Sequence, residues 1–178
     1  KLDQLEWATR DTPVSWRFYA IDDGDPNDSG TLAGSIADEH PLGDRATIGW
    51  LDRALPTATG PLAGLASADD SRKGGAVIHG CTLALDDGAD AVVYTDADNS
   101  VHLGQLGLLL APLVHEQRRV VLGNRKHPDA VLVKEEARWG IGIALLRHMQ
   151  RLIGRAIFSQ GIRDTQAAFK LYERSLLE

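Results

Sequence analysis

Two aspartates one residue apart, Asp96 and Asp98, follow the apolar, β-branched run at residues 91–95. Because side chains alternate across a strand, both carboxylates are expected on one face of a buried strand, at the carboxyl end where open α/β sheets bind ligands. Mg²⁺ and Mn²⁺ prefer oxygen ligands and commonly complete their shells with phosphate oxygens and water. The spacing therefore predicts a metal and diphosphate site. The open alternative is a strand that runs into an acidic turn, since Asp-Ala-Asp-Asn-Ser is also good turn chemistry.

Charged residues at two other strand or helix boundaries fit the same kind of ligand. Asp22 and Asp23 end a predicted strand at Gly24, where a carboxylate could accept from a nucleobase N–H or a ribose hydroxyl. The alternative is an Asx turn that terminates the strand. Lys73 precedes two glycines that open a helix, which combines a cation with backbone N–H groups suited to phosphate or base contacts. Its alternative is a solvated basic loop, and the spacing is not that of a P-loop.

Two further charged residues, Arg125 and Asp164, are candidates for the same site. Arg125 follows a predicted strand and Gly123, where a guanidinium could hold a phosphate with two hydrogen bonds or form a surface salt bridge. Asp164 could cap a following helix.

Helix and strand patterns alternate along the chain, which predicts an α/β fold with a mostly parallel sheet and helices on both faces. We expect helices at 1–10, 31–37, 75–86, 103–116 and 135–158, strands at 16–21, 62–66, 91–95 and 119–122, and an insertion at 38–60. Arg147, Arg151 and Arg155 recur on the last helix, as an interfacial stripe or as the solvated face of a core helix.

Length and composition indicate one globular domain, 178 residues long and 43% hydrophobic. A net charge of −6 argues against a general nucleic-acid binder. The single cysteine, Cys81, fits a reducing compartment, so we expect a cytoplasmic protein, with a position at the cytoplasmic face of a membrane left open. The chain begins with a helix where nucleotide-binding sheets usually begin with a strand, so we expect it to be incomplete at its N-terminus. Residues 176–178 read as the start of another helix, which leaves the C-terminus open as well.

Five motifs in order resemble those of family 2 glycosyltransferases, most closely the dolichyl-phosphate glucosyl- and mannosyltransferase branch. They are Ile-Asp-Asp-Gly at 21–24, Arg-Lys-Gly-Gly-Ala-Val at 72–77, Thr-Asp-Ala-Asp at 95–98, Gly-Asn-Arg at 123–125 and Gly-Ile-Arg-Asp-Thr-Gln-Ala-Ala-Phe-Lys-Leu at 161–171. The chain departs from the family pattern at Asn124, which replaces a serine, and at Ala167-Ala168, which replace Cys-Gly. The resemblance implies a GT-A fold, a nucleotide-sugar donor of the UDP-glucose or GDP-mannose class, a divalent metal and inversion at the anomeric carbon.

The resemblance also implies roles for individual residues. Metal binding falls to Asp96 and Asp98, donor binding to Asp22, Asp23, Lys73, Asp96 and Asp98, acceptor binding to Arg125, Arg163, Thr165 and Gln166, and catalysis to Asp98, Arg125 and Asp164. A polyprenyl-phosphate acceptor is already ionised and needs no strong base, whereas a hydroxyl acceptor would make Asp164 the candidate base. Two other classes stay open, a haloacid-dehalogenase-like phosphatase that would phosphorylate Asp96 and a GT-A domain that binds nucleotide without turnover.

Overall fold

The computed structural model describes residues 1–125, 127–131, 164 and 167–178. Its helices are α1 Leu2–Thr9, α2 Ser29–Glu39, α3 Leu51–Ala54, α4 Arg72–Asp86 and α5 Leu106–Glu116. Its strands are β1 Phe18–Asp22, β2 Ala46–Trp50, β3 Ala91–Thr95, β4 Val120–Leu122 and β5 Phe169–Glu173. The helix predicted at 135–158 and its arginine stripe lie outside the described residues. At least one helix separates each strand from the next over the described chain up to β4, so the α/β class is confirmed.

The strands form two sheets. β1 and β2 pair in parallel, from Phe18 opposite Ala46 to Asp22 opposite Trp50. The second sheet has the order β3-β5-β4, and β5 is antiparallel to both of its neighbours. Since only the first of these pairings is parallel, the described sheets do not form the mostly parallel sheet that we predicted.

The central position of β5 brings three chain segments to one edge of the three-stranded sheet. Thr95, the last residue of β3, lies opposite Phe169, and Leu122, the last residue of β4, lies opposite Lys170. The carboxyl ends of β3 and β4 and the amino end of β5 therefore share an edge. Asp96 and Asp98, Gly123 to Arg125, and Asp164 all follow or precede the strands at this edge.

A cluster of apolar side chains joins α1 and α5 to this sheet. Its buried members are Leu5, Leu103, Leu106, Leu109, Phe169 and Leu171. Leu106 and Leu109 are three residues apart, so they lie on one face of α5, and both are buried. Burial of these side chains contributes roughly 1.5–3 kcal/mol each, so this cluster stabilises the sheet whose edge carries the aspartates.

Helix α4 packs against the two-stranded sheet and begins beside its carboxyl end. A β-carbon added to Gly75 would lie 2.8 Å from the Leu51 Cδ2 atom, just beyond β2, so the helix approaches here because the residue has no side chain. Farther along α4, a β-carbon on Gly80 would meet Ile21 of β1 at 3.1 Å. The first turn of α4, which holds Lys73, therefore lies at the end of the sheet where β1 and β2 stop.

Several predicted boundaries need correction. The stretch 38–60, which we interpret from the sequence as an insertion, contains β2, the parallel partner of β1. The strand predicted at 62–66 is wrong, because a single 3₁₀ turn at Gly60–Leu62 and a further turn occupy this region. The short 3₁₀ turn Arg174–Leu176 follows β5 where we expected a helix to start. Among the described helices, none is long and apolar enough to cross a membrane.

Candidate functional site

Asp96 lies directly after β3 and is held by two neighbours at one oxygen. The Lys73 ammonium lies 2.8 Å from Oδ1, and the Tyr94 hydroxyl donates a hydrogen bond of 2.6 Å to the same atom. Partial burial alone would raise the pKa of Asp96, but the hydrogen bonds from Lys73 and Tyr94 and the Lys73 charge hold it below its ordinary value. The hydrogen bonds to Asp96 and Tyr94 raise the pKa of Lys73 in turn. At neutral pH the pair is a carboxylate and an ammonium.

Asp98 lies in an exposed turn rather than on the strand. β3 ends at Thr95, and Asp98 Oδ1 accepts a hydrogen bond of 2.9 Å from the backbone N–H of Ser100. Asn99 completes the turn with φ +59°, in the left-handed region that asparagine tolerates. Hydrogen bonding from Ser100 lowers the pKa of Asp98, which is therefore ionised. The prediction that strand alternation places both aspartates on one face is wrong, because the strand stops before Asp98. The acidic-turn geometry is present, and the Asp98 charge is near enough to Asp96 to act on the pKa of that carboxylate.

The oxygen ligands at this edge supply only part of the coordination shell of a hard divalent cation. Asp96 and Asp98 supply carboxylate oxygens, the ligand type that Mg²⁺ and Mn²⁺ prefer. Within the described residues, there is no group of three or more histidine, cysteine, aspartate or glutamate side chains that could hold a metal ion. A cation at this position would need phosphate oxygens and water for the rest of its shell, which is usual for Mg²⁺.

A second lysine, Lys1, faces the two aspartates from the start of α1. Its Nζ atom is buried and has no hydrogen-bond partner among the described residues. Burial lowers the pKa of Lys1, while the charges of Asp98 and Asp96 act in the opposite direction. The Gln4 side chain accepts a hydrogen bond of 2.8 Å from the Leu103 backbone, which ties the beginning of α1 to the segment after the aspartates. Lys1 and Lys73 thus place positive charge beside the same acidic segment, residues 96–98.

Arg125 and Asp164 form an ion pair at the same sheet edge. The Arg125 Nε atom lies 2.8 Å and its Nη2 atom 3.0 Å from the two carboxylate oxygens, and the Arg125 backbone N–H donates to Oδ2 at 3.1 Å. The Asp164 side chain is 1% exposed and that of Arg125 is 40% exposed. The next described element after Asp164 is β5, and the two residues that directly follow Asp164, which a helix cap would serve, lie outside the described residues. The carboxylate fixes the plane of the guanidinium.

At the end of β1, Asp22 and Asp23 differ in their surroundings. The Asp22 carboxylate accepts backbone hydrogen bonds from Gly24, Asp25 and Gly30, at 2.8, 3.1 and 2.7 Å. It therefore joins the β1 turn to the first turn of α2, the structural role of the Asx-turn alternative. Asp23 is half-buried in the same turn.

The predicted residues thus fall into three groups. The first group is the acidic segment with Asp96 and Asp98, which Lys73 of α4 contacts. The second group is Arg125 and Asp164, at the same edge of the three-stranded sheet. The third group is Asp22 and Asp23, at the end of β1 in the two-stranded sheet. Arg163, Thr165 and Gln166 lie outside the described residues.

Sequence reasoning missed two side chains at the acidic segment. Tyr94 is two residues before Asp96, and the period of two along a strand could have identified it. Lys1 carries no local signal, because its approach to the aspartates depends on how α1 packs. No protein-family model, curated protein or solved structure matches this chain.

Proposed function

We propose that the chain is a glycosyltransferase domain with a GT-A fold that moves a hexose from a nucleotide-sugar to a polyprenyl phosphate, with inversion. One observation carries the proposal. Two carboxylates and two lysines lie together at the end of β3, the Arg125–Asp164 pair lies at the same end of the three-stranded sheet, and the first turn of α4 supplies one of the lysines. A ligand with a negative diphosphate and a second anionic reactant needs such a mixture of charges at one place.

The donor side of the proposed site consists of Asp96, Asp98, Lys73 and Lys1. The two carboxylates would hold Mg²⁺ or Mn²⁺, which when bound neutralises charge on the departing nucleoside diphosphate. Lys73 lies in the first turn of α4, whose first backbone N–H groups also favour an anion. Asp23 is our candidate for the nucleoside, because Asp22 already accepts from three backbone groups.

The acceptor side of the proposed site is built on Arg125. A planar guanidinium can bind a phosphate through two parallel hydrogen bonds, and Asp164 keeps that plane in one orientation. Arg163, Thr165 and Gln166 belong to the same proposal as acceptor-binding residues. An ionised phosphate attacks without losing a proton, so this half of the site has to orient the acceptor rather than deprotonate it.

The burial of Asp164 favours a phosphate acceptor over a hydroxyl acceptor. A general base must reach the proton that it removes, and this carboxylate is directed at Arg125 inside the protein. With a polyprenyl-phosphate acceptor, the reaction would take place at the cytoplasmic face of a membrane. This location is part of the proposal.

The test is calorimetry with UDP, GDP, UDP-glucose and GDP-mannose, each with and without Mn²⁺. We expect one nucleotide class to bind, weakly without metal and at least ten-fold more tightly with it. Lack of binding by all four in both conditions would contradict the proposal. Transfer of radiolabelled hexose to a short-chain polyprenyl phosphate then distinguishes an enzyme from a domain that only binds. A covalent phosphate on Asp96, detected by mass spectrometry after incubation with phosphate esters, would instead support the phosphatase class.

A further inference from the structure

Lys73 contacts the oxygen of Asp96 that a divalent cation would also seek. Its Nζ atom lies 2.8 Å from Oδ1, within direct ion-pair distance. Mg²⁺ binds its oxygen ligands at about 2.1 Å, so both cations at this one oxygen would lie within a few ångströms of each other. Like charges at such a distance repel strongly, even near a protein surface. A lysine contact of this kind and a metal at the same carboxylate oxygen are therefore competing states.

We propose that Lys73 holds the place of the divalent cation at Asp96, and that it moves to the donor's diphosphate when the cation binds. The inference rests on the proposed function, because it assigns the metal and the diphosphate to the same site. It adds an exchange to that site, in which Lys73 leaves Asp96 for the diphosphate when the cation binds Asp96. The lysine side chain neutralises the carboxylate in the ligand-free protein and then neutralises the ligand.

The surroundings of Lys73 allow this movement. Its side chain is 67% exposed, whereas that of Asp96 is 28% exposed, so the lysine can leave without unpacking the core. The ammonium is carried on a flexible four-carbon stem, and an ion pair with one exposed partner contributes little to stability. Lys73 also lies in the first turn of α4, so its displaced side chain stays beside the backbone N–H groups that favour a phosphate.

Tyr94 remains with Asp96 while Lys73 moves. Its hydroxyl is 2.6 Å from Oδ1 and projects from β3, which is paired to β5 along its whole length. A neutral hydroxyl does not repel an incoming cation. Tyr94 is therefore the positioning residue that keeps the carboxylate in one orientation in both states.

Exchange makes the metal and the diphosphate bind cooperatively. A cation alone must displace Lys73 and leave it without a carboxylate, whereas a cation that arrives with a diphosphate offers the lysine a new anion. By linkage, the diphosphate strengthens metal binding by the same factor by which the metal strengthens diphosphate binding.

The deciding experiment compares Lys73→Gln with Arg72→Gln in the full chain. Both variants remove one positive charge from the first turn of α4, but Arg72 pairs with Asp69 rather than with Asp96. Binding of Mn²⁺ alone is measured by electron paramagnetic resonance, and binding of inorganic pyrophosphate by calorimetry at saturating Mn²⁺. Thermal unfolding confirms that each variant is folded.

For Lys73→Gln we expect Mn²⁺ alone to bind about five-fold more tightly, because the competing cation is gone, and pyrophosphate to bind about ten-fold more weakly. Arg72→Gln should change each affinity by less than about two-fold. Unchanged or weaker Mn²⁺ binding in Lys73→Gln would overturn the exchange. If nucleotides still bind in a metal-dependent way, that result leaves the proposed function intact. If neither the wild type nor either variant binds Mn²⁺, the exchange and the metal-dependent function are overturned together.

Discussion

Arg125 and Asp164 meet through two side-chain hydrogen bonds, Nε to Oδ2 at 2.8 Å and Nη2 to Oδ1 at 3.0 Å. The pair connects the segment after β4 to the segment before β5, which are 39 residues apart in the chain. Its carboxylate is almost fully buried and its guanidinium reaches the surface. The buried Asp164 carboxylate thus holds the partly exposed Arg125 guanidinium in a fixed orientation.

The first prediction concerns the stability of this pair. Arg125→Gln removes a positive charge and two side-chain hydrogen bonds from the buried Asp164 carboxylate and should lower the free energy of unfolding by roughly 3 kcal/mol. Adding Asp164→Asn to that variant should restore part of the loss, since the double variant no longer buries a carboxylate charge that has lost the Arg125 guanidinium. Urea denaturation of the two single variants and the double variant measures the coupling. Strictly additive losses would mean that the two side chains do not stabilise each other.

The second prediction tests Asp98 as a metal ligand. Asp98→Asn keeps an oxygen that can accept from Ser100, so the turn should persist and the free energy of unfolding should change by less than about 0.5 kcal/mol. Hexose transfer should fall about 100-fold, or roughly 3 kcal/mol of transition-state stabilisation. Asp86→Asn, at the opposite end of α4, is the matched control and should leave the transfer rate unchanged. Full activity and unaltered metal dependence in Asp98→Asn would show that Asp98 serves only the turn.

The third prediction separates Asp22 from Asp23. Asp22→Asn replaces one accepting oxygen by an NH₂ group where three backbone donors converge, and should cost about 1–3 kcal/mol of folding stability. Asp23→Asn should change stability by less than about 0.5 kcal/mol while weakening nucleotide binding. Thermal unfolding and calorimetry on the same two variants provide the comparison. A stability loss at Asp23 equal to that at Asp22 would remove the distinction.

The fourth prediction concerns pH and His79. This imidazole lies beside β2, where a β-carbon added to Gly49 would be 3.2 Å from Nε2, and burial lowers the pKa of His79 below its ordinary value. The unfolded chain therefore binds the proton more readily than the folded chain. Stability is complete above the ordinary histidine pKa of about 6.5 and is lost as the pH falls through the lower folded value.

The variant His79→Gln removes this proton-linked contribution. The free energy of unfolding of the wild type minus that of the variant, from urea denaturation between pH 5 and 8 by roughly half-unit steps, should fall on the acid side only. The same difference at every pH would show that His79 does not titrate differently in the folded state.

The spacing of apolar residues in the sequence correctly predicted the helices and strands whose formation depends mainly on neighbouring residues. The apolar run at 91–95 is β3 with the predicted bounds, and helix α4 extends the predicted 75–86 by one turn at its start. α1 and α5 match the helical spacing of their leucines. These segments have long or regular apolar patterns, and such patterns depend little on the rest of the chain.

Long-range pairing could not be read from the same patterns. β2, in a stretch rich in glycine and proline, is a strand because β1 lies beside it in register. β5 falls in a motif for which the sequence left a helix cap at Asp164 open and predicted no strand, and its direction depends on two partner strands that are distant in sequence. At the candidate site, the proximity of Lys73 to Asp96 agrees with the motifs, whereas the buried Lys1 depends on the docking of α1. Strand pairing and helix docking are tertiary effects that override local propensity.

The middle strand of the three-stranded sheet is the last of the three to leave the ribosome. Until β5 emerges, β3 and β4 have no described partner and expose unpaired backbone groups of the kind that recruit other chains. Ribosomes add about 5–20 residues per second, so the roughly 50 residues between β4 and the end of β5 take several seconds to synthesise. The nascent chain is thus most exposed to aggregation just before it acquires the edge that would bind its ligands.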